Sequence, residues 1–126
     1  MNHNDIAYAV QTIQNKILTP IIYMCESEYK TEFICFCGAE ATDEDFFETG
    51  EALTKEFDFP TEVVDILEYD VNDRIDIISN AELVFSEDPI IEQMFALSIS
   101  EELRQEREHK LSMMKRMNEN GSYYLQ

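Results

Sequence analysis

Apolar residues recur at Ile6, Val10, Ile13 and Ile17, a one-sided stripe at helical spacing that predicts a helix over Asn4–Leu18. Pro20 stops it. The period then changes. Ile21–Cys25 and Glu32–Cys37 are β-branched or aromatic runs of strand length, and the polar ESEYK between them is short enough for a hairpin loop. Thr42 opens a second helix with Asp43, Glu44 and Asp45 in its first turn, where acids suit the helix dipole. Phe46, Phe47, Leu53 and Phe57 read as its buried face, and Phe59-Pro60 ends it. Thr61–Leu67 is a third strand. Asp70 is the N-cap of a short helix with Val71, Ile75 and Ile78 inward, and Ala81–Ser86 is a fourth strand. From Pro89, a permitted first-turn position, a long helix runs to about Asn118. Its stripe of Ile91, Met94, Phe95 and Leu97 fades through Arg104–Lys110 and returns as Leu111, Met114 and Met117.

The order α-β-β-α-β-α-β-α predicts an α+β domain, a small mixed β-sheet of about four strands covered by helices, with a long C-terminal helix. A chain of 126 residues that is 44% hydrophobic is long enough for one core, so residues 1–126 read as a single domain. The closing helix would span about 89–118, and 119–126 would be a loose tail. With no apolar run near the length of a membrane span, and no basic-then-apolar start, the chain reads as cytoplasmic.

Charge narrows the function classes. A net −18, from 27 acids and 9 bases, repels phosphate backbones and argues against direct nucleic-acid binding. It suits a basic protein partner or a cation-assisted site. The charge is also unevenly spread. Residues 104–126 hold five bases (Arg104, Arg107, Lys110, Lys115, Arg116) against three acids (+2), leaving four bases against 24 acids (−20) in the rest. A basic helix beside an acidic body suggests intramolecular or dimeric complementarity, and a solvated helix with favourable charge near its C-terminal dipole is the simpler reading. The methionine-rich end, with little else to pack against, allows a homodimer through the C-terminal helix.

The stretch TEVVDILEYDVNDRIDIISNAELVFSEDPIIEQMFALSISEELRQEREHKL resembles the C-terminal half of the minimal nucleotidyltransferases of the polymerase-beta superfamily, small bacterial proteins. Glu62–Leu67 is similar to their strand, Asp73-Arg74-Ile75 to the Arg-bearing short helix, and Glu82–Asp88 to the last strand and turn. DEDFFETGEALTKEF is similar to their preceding helix. The resemblance covers about residues 20–118 and rests on apolar patterning more than on invariant motifs. It implies a Gly-Ser turn that cradles nucleotide phosphates, then Asp-x-Asp on the second strand and a third carboxylate on the next, which hold two magnesium ions. Here Glu26 stands where the Gly belongs and Ser27 on the Ser. Glu32 stands on the first Asp, Ile34 on the second, and Glu62 on the third carboxylate, with Asp65 beyond it. The loop from Ser27 to Glu32 is several residues short. Ser27, Glu32 and Glu62 are therefore expected as remnants of a degenerate site, with no catalysis, no cofactor and no metal. The expected function is protein–protein interaction, antitoxin-like or regulatory, with a basic or toxin-like partner. The alternatives are a divergent transferase using Glu32, Glu62 and Asp65 for one metal, and an acidic inhibitor that mimics DNA.

Other constellations carry less. Cys35-x-Cys37 would put two thiols on one strand face, with Cys25 opposite on the neighbour, but no C-x-x-C knuckle exists and His3 and His109 are remote in sequence. Buried apolar packing is the expected role of these cysteines. Arg104 and His109 have the R-x-x-x-x-H spacing of HEPN ribonucleases, yet on a charged helix they read as exposed residues.

Overall fold

Helix capping sets the first boundary. Asn2 accepts a hydrogen bond from the Asp5 amide and starts α1 (His3–Lys16), in the computed structural model that describes residues 1–36 and 41–120, with side chains to Arg116. Then follow β1 (Ile21–Glu26), β2 (Thr31–Cys35), α2 (Asp43–Phe57) and β3 (Thr61–Asp65). A 3-10 turn (Ile66–Glu68), α3 (Val71–Asn80), β4 (Glu82–Ser86) and α4 (Pro89–Asn120) complete the order. The four strands form one sheet ordered β3-β2-β1-β4. β1 is antiparallel to both β2 and β4, while β3 runs parallel to β2 because α2 carries the chain back over the sheet. The expected α+β architecture and its long last helix are both present.

Strand alternation divides the core in two. Ile22, Met24, Phe33, Cys35 and Val63 face α1 and α2 and pack with Ala9, Ile13, Ile17, Phe46 and Leu53. Ile21, Tyr23 and Ile34 face the other way and pack with Ile66, Val71, Phe95 and Ile99.

Several sequence expectations move. β3 stops at Asp65, because its carboxylate accepts from the Leu67 amide (3.0 Å) and caps the 3-10 turn. Phe47 is 66% exposed and is not part of the buried face of α2. Phe46, Gly50, Leu53 and the partly buried Phe57 share one side of the helix, and Phe47 lies a 100° step around from it. On α4, Met94 (63%) and Leu97 (69%) are exposed, since the inward stripe is Phe95, Ile99 and Leu103. Cys37 and the tail residues 121–126 lie outside the described residues, and α4 runs on through 119 and 120.

Gly50 explains how α2 lies so close to β3. A Cβ there would sit 3.2 Å from the Thr61 carbonyl oxygen. The Thr54 hydroxyl accepts from the buried Thr61 amide (2.9 Å) across the same contact. Thr54→Val, equal in shape, leaves that amide unpaired and should cost about 1–3 kcal/mol in urea unfolding; a change within error would show that water takes the hydroxyl's place.

Candidate functional site

The parallel register of β2 and β3 sets Glu32 beside Glu62 on the α3/α4 side of the sheet. Two carboxylates side by side repel unless a cation lies between them. Here the cation is Lys30, whose Nζ is 3.3 Å from Glu32 Oε1 and 3.1 Å from Glu62 Oε2. Lys30 is two residues before Glu32, so the alternation of the strand brings both side chains to one face. Hydrogen bonds that Lys30 donates to Glu62 and Glu32 hold its ammonium above its ordinary pKa.

Tyr69 closes the cluster, its hydroxyl donating to Glu32 Oε2 at 3.0 Å. Burial, then the hydrogen bond to Glu32, pushes its phenol to about 12. The segment that carries Tyr69 is clamped by Arg74, which donates to the Tyr69 carbonyl (2.8 Å) and to Glu102 of α4 (2.7 Å). Because the folded pKa of Tyr69 lies above its ordinary 10, its contribution to stability is whole below pH 10 and is lost as pH rises toward 12. A phenol titrating near pH 12 by ultraviolet absorbance, and absent in Tyr69→Phe, is the expected result. If every phenol titrated near 10, the Glu32 contact would not persist in solution.

Ser27 forms the β1–β2 turn. Its Oγ accepts from the Tyr29 (3.2 Å) and Lys30 (3.1 Å) amides and donates to the Lys30 carbonyl (3.0 Å). The hydroxyl is thus engaged by its own turn. Glu26 meets the chain's amino group at 2.8 Å. Ile34, with 2% of its surface exposed, lies on the same face as Glu32 but inside the apolar cluster. Asp65 is not brought into the group; it is on the opposite strand face from Glu62 and caps the 3-10 turn. A cavity of about 510 Å³ lies beside α2 and β3 and has Glu62 on its lining with Phe47 and Val63.

The structure does not assemble the cysteine site. Cys25 sits on the α3/α4 side and Cys35 on the α1/α2 side, so the sheet separates them, which corrects the expectation that Cys25 lies opposite Cys35. Burial, then the charge of Glu32, raises the Cys25 thiol. Among the described residues no group of three or more His, Cys, Asp and Glu side chains could hold a metal ion. Arg104 is held by Glu101 and Glu108 on α4, with His109 a further 140° around the helix.

No protein-family profile matches the chain, and no curated protein matches it in sequence. Solved structures do match. A chain of the toxin–antitoxin complex MntA–HepT superposes with a TM-score of 0.74 at 8% identity, over 92% of this chain and 98% of that one. The Shewanella oneidensis tri-AMPylated HEPN toxin in complex with MNT antitoxin gives 0.74 at 10% identity, over 93% and 98%. A toxin–antitoxin structure with AMP-PNP gives 0.71 at 10% identity, over the same shares. The fold is nucleotidyltransferase-like. At such identity the likeness speaks to architecture, and the four helices and mixed four-stranded sheet fit that architecture throughout.

Lys30 and Tyr69 complete the cluster without being part of the family motif. The signal for Lys30 was available, as a base two residues before Glu32 in a chain with nine. Tyr69 gave none, because it reaches Glu32 across 37 residues of chain.

Proposed function

We propose that this chain keeps a nucleotidyltransferase fold, transfers no nucleotidyl group, and acts by binding a protein partner, the toxin of a toxin–antitoxin pair being the class of partner. The observation that carries the reading is Lys30 between Glu32 and Glu62. By the resemblance, those carboxylates stand where two magnesium ligands would be, and a side-chain ammonium occupies the space a metal would need. A divalent ion would have to displace it and would still lack a ligand at Ile34. Three further points agree. The Ser27 hydroxyl is used by its turn, Glu26 puts a carboxylate where phosphate would approach, and only residues 27–30 join β1 to β2. Ser27, Glu32 and Glu62 are thus remnants of a site rather than a site, and no cofactor is assigned.

The net −18 works in the same direction, since it repels a triphosphate and attracts a basic protein. The chains of similar fold belong to structures of toxin–antitoxin complexes, which supports a partner of toxin kind. The proposal takes residues 1–126 as one domain and the location as cytoplasmic; no helix among the described residues is long and apolar enough to cross a membrane.

Co-expression with the protein encoded beside this chain's gene tests the reading. The expected result is a stable complex that relieves that protein's growth inhibition, and relief that persists in the Glu32→Gln, Glu62→Gln double variant. Relief that needs those two carboxylates would overturn it.

A further inference from the structure

The face of α4 turned away from the sheet has a pattern that the body of the protein does not use. Ile90, Met94, Leu97, Glu101, Arg104, Glu108, Leu111 and Lys115 follow one another at alternating spacings of four and three, the seam of a coiled coil. All eight are exposed, and Ile90 (60%), Met94 (63%), Leu97 (69%) and Leu111 (64%) are large apolar residues. This seam lies opposite Phe95 and Ile99, which anchor α4 to the sheet, so the body leaves it open to a partner. Beyond Leu103 every residue but Glu106 is exposed as far as Arg116, so the distal half projects past the core. A lone helix in water is marginal without tertiary support.

The charges say what covers it. From Glu87 to Leu103 the chain has five acids (Glu87, Asp88, Glu92, Glu101, Glu102) and no base. From Arg104 to Arg116 it has five bases against Glu106 and Glu108. A helix that is acidic in its first half and basic in its second complements a copy of itself running antiparallel.

We propose that the outward seam of α4 pairs with the same seam of a second copy, antiparallel about a two-fold axis between Glu101 and Arg104. In this register Met94 packs against Leu111 of the other copy, Ile90 against the aliphatic stem of Lys115, and Leu97 against Glu108. At the centre Glu101 meets Arg104 of the other copy, twice by symmetry. The paired length, Ile90 to Lys115, is about 38 Å. Arg104, which bonds Glu101 and Glu108 within its own helix, then also bridges the two chains. The polar centre fixes orientation and register, since a parallel arrangement would set Glu101 against Glu101 and Arg104 against Arg104. This pairing is independent of the proposed function and leaves the Lys30 cluster untouched.

Sedimentation equilibrium of the full chain at tens to hundreds of micromolar, with helicity followed by circular dichroism, tests it. Wild type should be a dimer. Glu101→Arg alone and Arg104→Glu alone each create two like-charge contacts in this register and should weaken dimerisation by about tenfold or more. An equimolar mixture of the two single variants should dimerise again as a heterodimer, because each introduced charge then faces its opposite. The restoration separates the proposed contact from the helix's own ion pairs, which mixing cannot repair. A monomeric wild type, single variants that dimerise like wild type, or a mixture that stays monomeric would each overturn the pairing; a monomer would leave the seam to a different protein.

Discussion

Ile34→Asp, which by the resemblance would return the second aspartate, should unfold the protein rather than rebuild a metal site. Ile34 is 2% exposed and packs with Tyr23, Ile66, Phe95 and Ile99. Removing the isoleucine side chain alone costs about 2–5 kcal/mol. An ionised carboxylate in that apolar setting, one alternation along from Glu32, adds several kcal/mol more because no partner is there to receive it. A domain has about 5–15 kcal/mol in all. Urea unfolding should therefore find little or no cooperative transition for Ile34→Asp, while Ile34→Val loses about 1 kcal/mol. A folded Ile34→Asp that bound magnesium would contradict both the burial cost at Ile34 and the proposed occupation of the metal's place by Lys30.

Phe33→Ala probes the other side of the same strand. Phe33 is fully buried in the cluster that joins β1, β2 and β3 to α1 and α2, where Met24 and Val63 are its neighbours in register. Truncation leaves a cavity that backbone hydrogen bonds on both sides of β2 keep from collapsing. The expected loss is about 3–5 kcal/mol, seen as a lower urea midpoint at unchanged slope. A loss below about 1 kcal/mol would mean that the helices close over the gap and that the two-cluster description is wrong.

These two neighbours show what the sequence made legible. Phe33 and Ile34 were readable as strand residues on opposite faces because the side-chain period of a strand is two. The order of elements was legible for a similar reason: each change from helical to alternating spacing was marked by Pro20, Thr42, Pro60 or Asp70. Phe47, Met94 and Leu97 are apolar neighbours of inward-facing residues, but at 100° per residue each falls outside its helix's inward stripe and is exposed. The end of β3 was hidden in TEVVDIL, which has strand composition up to Leu67; the Asp65 cap that stops it is a local hydrogen bond, not a pattern. Of the site, Ser27, Glu32, Glu62 and Ile34 could be located from the resemblance. The Lys30 bridge and the Tyr69 contact required the β2–β3 register, which depends on where α2 returns the chain.

Under the proposed function, Lys30 stands in place of a metal and no nucleotide site remains. Calorimetric titration of the full chain with ATP and magnesium tests it most directly. The account predicts no binding heat beyond dilution, for wild type and for Glu32→Ala alike. Micromolar ATP binding that requires magnesium and is abolished by Glu32→Ala would contradict it.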